Sequence, residues 1–183
     1  CQDDHKDATY AVCIAVLGKR ISMKRIFQQI RAIPLVSKLL INHYAPYWGA
    51  GIAIDKIDLD NYAIRVKMPL TRSNRNIVGT HFGGSLYSMV DPFYMLILMH
   101  HLGNKYIVWD KSASISFLSP GRSTVYADIR LSAEEISEIK QLTENYAPVY
   151  RTYTLNIVDD MGTRIAEVEK VLYIRRKKPK ASP

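Results

Sequence analysis

Residues 85–99 read SLYSMVDPFYMLILM, with Asp91 as the single charge, and they follow directly on the pair Gly83-Gly84. Apolar side chains fall on every face of a helix over this stretch, so it predicts a helix buried all round. The run falls short of the ~20 apolar residues that a membrane span needs and carries a carboxylate half-way along. It therefore reads as the central core helix of a domain. On either side the hydrophobic period changes to two. Ile52, Ile54, Ile57 and Leu59, then Tyr62, Ile64, Val66 and Met68, flank the turn-prone Asp60-Asn61 and predict a β-hairpin. Four strands are expected at 106–118, 123–131, 150–158 and 163–174, the last two joined by Asp159-Asp160-Met161-Gly162. Hairpin, helix, then antiparallel strands make an α+β layout in which a curved antiparallel sheet wraps one long central helix. Ahead of it, apolar residues at helical spacing over 23–44, broken by Pro34, predict two short helices meeting at the proline.

Composition fits one globular domain. The chain has 183 residues, 48% hydrophobic and 23% charged, which excludes disordered, collagenous and coiled-coil classes. Both cysteines, Cys1 and Cys13, lie at the start, so chemistry elsewhere must use oxygen or imidazole groups. The net charge of +8 gathers partly in Arg175, Arg176, Lys177, Lys178 and Lys180, read as a solvated basic tail over 175–183 rather than a nucleic-acid site. Residues 1–22 mix Asp3, Asp4 and Asp7 with an apolar run and make a poor signal peptide; they are expected to be non-native or disordered, and dispensable, with the domain covering 23–174. The adjacent His100 and His101 do not converge on one metal as i, i+4 pairs do, and no metal or cofactor is expected. Trp109 is expected to pack in the core. Tyr87, Phe93 and Tyr94 either line a ligand pocket or fill the core.

Two features carry chemistry. A carboxylate inside a buried helix is costly unless paired, solvated or used, and Pro92 frees the Ser88 carbonyl beside it. Asp91 is either structural, satisfying backbone groups or pairing with a cation such as Lys111, or it is a working acid–base group. Gly83 and Gly84 open the same helix, where the first backbone amides lack intrahelical partners and a ligand can approach closely. Such amides form an oxyanion site. Seven or eight residues separate the two features, about 11–12 Å along a helix, too far for both to act on one carbonyl within one chain. A shared site then needs the glycines of one subunit facing Asp91 of another, hence a homodimer.

The segment Asn76-Ile77-Val78-Gly79-Thr80-His81-Phe82-Gly83-Gly84, with Asp91 seven residues further on, resembles the hotdog-fold thioesterases of the phenylacetate-pathway type. In these an N-x-x-G-x-x-H-G-G segment opens the central helix and an Asp or Glu lies on it. The resemblance extends over most of the chain and is nearest to an uncharacterised bacterial branch in which GT-x-FGGSLY precedes a DP dipeptide. It implies the hotdog fold, a homodimer or dimer of dimers, a cytoplasmic setting, and thioesters of coenzyme A or of acyl carrier protein as substrates, with no cofactor. It further implies that Gly83, helped by Gly84, polarises the thioester carbonyl. Asp91 of the facing subunit would be general base or nucleophile, and Asn76 would position the acyl group or water. Thr80, His81, Phe82 and Tyr87 would contact substrate. Phe82 stands where relatives carry the histidine, His81 is one place early, and Met95 replaces a hydroxyl residue one turn after the acid. Two other readings stand beside hydrolysis: an acyl or acyl-CoA binding protein without turnover, and a dehydratase with His81 as base. A chain beginning at Met23 is expected to keep its fold and oligomeric state; loss of more than about 2 kcal/mol in a denaturant titration would show that residues 1–22 belong to the core.

Overall fold

The structure, a computed structural model, describes Asn42 and residues 44–179, all within a unit spanning Lys38–Pro183. The segment 1–22, most of the helical region expected at 23–44, and Lys180 lie outside the described residues. Helix α1 (Ala45–Ala50) has Pro46 in its first turn and ends at Gly51, whose positive φ of 69° returns its N–H to the Trp48 carbonyl. The expected hairpin follows as β1 (Ala53–Asp58) and β2 (Ala63–Met68), in register Ile57↔Ile64. Tyr62 closes its turn with a φ of 55° and a 3.0 Å bond from its N–H to the Leu59 carbonyl.

The central helix is present but divided, into α2 (Gly83–Ser88) and α3 (Phe93–Leu102). Pro92 is the cause. It has no N–H to give the Ser88 carbonyl, which instead takes the Asp91 N–H at 3.4 Å in a tighter turn; the helix restarts where the Leu96 N–H reaches the Pro92 carbonyl at 2.9 Å. No residue of α3 is exposed, and Phe93, Ile97 and Leu98 are fully buried.

Four strands complete one six-stranded antiparallel sheet: β3 (Tyr106–Phe117), β4 (Val125–Arg130), β5 (Val149–Asp159) and β6 (Arg164–Arg176). Their order is β1-β2-β4-β5-β6-β3, so the twelve-residue β3 is an edge strand. Along β6, Ala166, Val168, Lys170, Leu172 and Ile174 are all buried, the core-facing half of a period-two pattern. One member of that series is a lysine. The strand continues to Arg176, two residues past the expected boundary, so the first two basic residues of the tail belong to the sheet, and Arg176 lies 5.7 Å over the Tyr146 ring. Trp109 corrects the core assignment: it pairs with Tyr173 on the outward series and is 67% exposed.

One element was absent from the sequence-based layout. Helix α4 (Ala133–Leu142) sits between β4 and β5, capped by Ser132, whose hydroxyl accepts the Glu135 N–H at 3.2 Å. It buries Ile136 and Ile139, and the Arg151 guanidinium of β5 bonds Glu135 and Glu138 while the Tyr153 hydroxyl donates to Glu135 at 2.7 Å. Replacing Ser132 with Ala leaves that N–H without its side-chain partner and should lower stability by about 1 kcal/mol in urea unfolding; an unchanged midpoint would show that the cap is not what starts α4.

Candidate functional site

The loop before α2 is set by side-chain amides. Asn74, 1% exposed, donates from Nδ2 to the Ala50 and Pro69 carbonyls at 2.8 Å each and accepts the Thr71 N–H. Its own carbonyl takes the Phe82 N–H at 2.8 Å, so the entry to α2 is fastened to the end of α1. Asn76 is used up within the loop: Oδ1 accepts from the Val78 and Thr80 amides, and Nδ2 donates to Thr80 Oγ1 and the His81 carbonyl. Thr80 and His81 are 7% and 3% exposed. His81 donates from Nε2 to the Ser123 carbonyl at 2.9 Å, and its Nδ1 is buried without a hydrogen-bond partner. Asn76, Thr80 and His81 thus spend these hydrogen bonds on shaping the loop that leads to the glycines. An imidazole donating to a carbonyl with its other nitrogen sealed in is also poorly placed as the base of a dehydratase.

An open groove of about 400 Å3 runs between the start of α2 and the concave face of β3, lined by Gly83, Gly84, Tyr87, Ala113, Ser114, Ile115 and Phe117. Both glycines lie directly under aromatic rings. A Cβ on Gly83 would lie 2.7 Å from Phe117 Cζ, and one on Gly84 would lie 2.5 Å from Phe82 Cε1. The two half-exposed rings, with 60% and 57% of Phe117 and Phe82 open to solvent, give the groove an apolar rim. The Gly83 and Gly84 amides are the first two of α2 and precede its first hydrogen bonds, which run from the Ser85 and Leu86 amides to the Phe82 carbonyl.

Asp91 sits in the break between α2 and α3 with its side chain 45% exposed, less buried than an unbroken helix predicts. Its Oδ1 accepts from the Tyr87 hydroxyl at 2.7 Å and from Lys170 Nζ at 2.8 Å. Lys170 also donates to the Asp91 backbone carbonyl. The cation expected opposite the acid is thus Lys170; Lys111 is exposed. Fully buried itself, Lys170 also pairs with Asp110 Oδ1 at 3.2 Å and lies 5.5 Å from the centre of the Tyr87 ring. Asp110 reaches it through a β-bulge. Register along β3 pairs Ala113 with Lys170 and then slips at Lys111, so Asp110 pairs with Leu172 and takes the concave face. Burial raises the Asp110 carboxyl, and Asp91 adds to the rise while Lys170 opposes it. Burial, then the hydrogen bond to Asp91, likewise pushes the Tyr87 phenol up, keeping it a hydrogen-bond donor at neutral pH.

Of the residues expected at the site, Gly83, Gly84 and Tyr87 line one groove, Phe82 flanks it, and Tyr87 links it to Asp91. Phe93 and Tyr94 fill the core. Lys170 and Asp110 were missed. The readable signal was a lysine in the apolar series of a strand; the bulge that turns Asp110 inward left no such mark. Among the described residues, no group of three or more His, Cys, Asp and Glu is placed to hold a metal ion, and no helix is long and apolar enough to cross a membrane.

A family described as "Domain of unknown function (DUF4442)" matches residues 34–174. No curated protein matches the sequence. Among solved structures, a Pseudomonas aeruginosa protein of unknown function, described as a probable thioesterase, is similar with a TM-score of 0.72 and 17% identity, covering 79% of this chain and 96% of that one. A thioesterase from Haemophilus influenzae gives 0.57 at 15% identity, covering 78% and 91%. A mutant of the phenylacetic acid degradation protein PaaI from Thermus thermophilus gives 0.50 at 16%, covering 70% and 97%. At these identities the likeness establishes the fold, the hotdog fold, as expected from the sequence.

The buried histidine gives the loop a pH signature. Burial lowers the His81 pKa, so below its unfolded value of about 6.5 the unfolded chain binds a proton that the folded chain refuses. That contribution is intact above this pH and is lost as pH falls. Urea midpoints at about pH 7 and pH 5 should separate less in His81→Gln than in the parent; an equal separation would show that His81 does not carry it.

Proposed function

The chain belongs to the DUF4442 family, and from its likeness in fold to thioesterases, together with Asp91 and the groove that Tyr87 links to it, we propose that it is an acyl-thioester hydrolase, acting on acyl-CoA or acyl carrier protein thioesters as a cytoplasmic homodimer or dimer of dimers. The observation that carries the reading is Asp91 itself. One carboxylate oxygen is clamped by Tyr87 and Lys170 while almost half of the side chain remains open, and Tyr87 itself lines the groove that begins at the two glycines.

In the proposed reaction the thioester carbonyl oxygen rests on the Gly83 amide, with Gly84 assisting, and these donors stabilise the oxyanion as it develops. Asp91 of the facing subunit takes a proton from water, whose oxygen bonds to the carbonyl carbon. The carbon–sulfur bond then breaks, and the thiolate leaves with the proton held by Asp91. Products are a carboxylic acid and a thiol. The edge position of β3 supports the dimer. Its outer backbone groups have no strand partner among the described residues, it exposes Trp109 and Phe117, and it forms one wall of the groove. Two copies joined edge to edge along β3 bring their grooves to the interface.

A second reading, an acyl-thioester binding protein on the same fold, is favoured by one observation: Phe82 and Phe117 lay apolar rings against the two glycines. One variant separates them. With a panel of acyl-CoA esters, Asp91→Asn should lower kcat about 100-fold or more with KM little changed, as removal of a general base does. Unchanged turnover would remove Asp91 from the chemistry, and saturable binding without turnover in the parent would favour the binding protein. Light scattering should give a particle of at least twice the 20.9 kDa chain mass; a monomer at micromolar concentration would contradict the composite site.

A further inference from the structure

We infer that Lys170 is a positioning residue for Asp91, held from its far side by Asp110, and this role rests on the hydrolytic reading given above. Lys170 Nζ contacts three oxygens that belong to two different elements. Two are the backbone carbonyl and Oδ1 of Asp91, in the break between α2 and α3; the third is Oδ1 of Asp110 on β3. The Asp91 carbonyl has no helical donor, because α3 begins its bonding one residue later, from the Leu96 amide to Pro92. One ammonium therefore fixes both the main chain and the side chain of the acid.

Its own position is equally constrained. Lys170 lies in the middle of β6 with Ala113 of β3 and Tyr153 of β5 as cross-strand neighbours, neither of them charged, and it is fully buried. The bulge at Lys111 brings Asp110 rather than Lys111 to the concave face, so among the described residues two carboxylates share the one ammonium of Lys170. With Tyr87 on the same oxygen, Asp91 is held by one charged and one neutral donor, both on Oδ1. A carboxylate gripped at one oxygen presents the other in a fixed direction, which is the pre-organisation a base needs to meet water at hydrogen-bond distance. Burying a lysine is costly, and an apolar residue in its place would complete the Ala166–Ile174 series. Packing alone therefore gives no reason for a lysine here.

The test is a double-mutant cycle read as kcat and KM, with folding followed by circular dichroism and melting temperature. Lys170→Met is expected to lower kcat at least 10-fold with KM within about threefold, and in the Asp91→Asn background it should lower kcat by no more than about twofold, because it acts through the acid that is already gone. Lys170→Met with Asp110→Asn withdraws the charges as a pair, and the same loss is expected from it where the single variant does not fold. A folded Lys170 variant that keeps kcat within threefold of an active parent, or losses that multiply across the cycle, would overturn the positioning role while leaving hydrolysis standing. A parent without turnover removes the hydrolytic reading and this role with it.

Discussion

The buried ammonium of Lys170 is the contact on which the arrangement around Asp91 depends. Transfer of an unpaired cation into a protein interior costs several kcal/mol, and removing one partner of a buried ion pair commonly costs about 3–5 kcal/mol. Here the cost is offset by three oxygens, one of them a backbone carbonyl that the helix break leaves without a donor. The break exists because Pro92 cannot donate to Ser88, and it leaves the Asp91 side chain 45% exposed between two helices whose apolar residues are mostly buried. Proline, aspartate and lysine are thus one device. The proline opens the helix, the lysine closes the gap from the sheet, and the acid is left half exposed, tied through Tyr87 to the groove.

Much of the fold was legible because its signals are periodic. The hairpin, β5, β6 and the central helix follow from alternation and from an apolar run, and their bounds shift by only a few residues. Helix α4 was missed although its cap was readable: Ser132 stands three residues before Glu135, and Ile136 and Ile139 follow at helical spacing. Its ten residues are mostly charged or polar, and its apolar stripe is narrow: Ala133, Ile136, Ile139 and Leu142. Trp109 went wrong for another reason. Side chains on an edge strand have one covering face, and the β3 bulge shifts which residues meet it, so a large aromatic in the pattern need not be inside.

The candidate site was legible in part for the same reason. Gly83, Gly84 and Asp91 stand out by residue type and spacing along one segment. Asn76, Thr80 and His81 belong to the same motif by sequence, yet their hydrogen bonds run to the loop and to Ser123, so they act on the glycines by fixing the chain that leads to them. Lys170 lies 79 residues from Asp91 along the chain, and only sheet register brings it under the helix break. Local motifs display the groups that face a ligand; the groups that hold them in place are set by topology.

The central claim is that Gly83 of one subunit and Asp91 of its partner face one thioester carbonyl. A crystal structure with a non-hydrolysable acyl-CoA thioether or ketone analogue tests it most directly. The expected result is a dimer joined along β3, the analogue's carbonyl oxygen, or the oxygen that stands in for it, about 3 Å from the Gly83 amide, and the partner's Asp91 within reach of the carbonyl carbon through one water. An analogue seated away from the groove, or an Asp91 turned from it across the interface, would contradict the account.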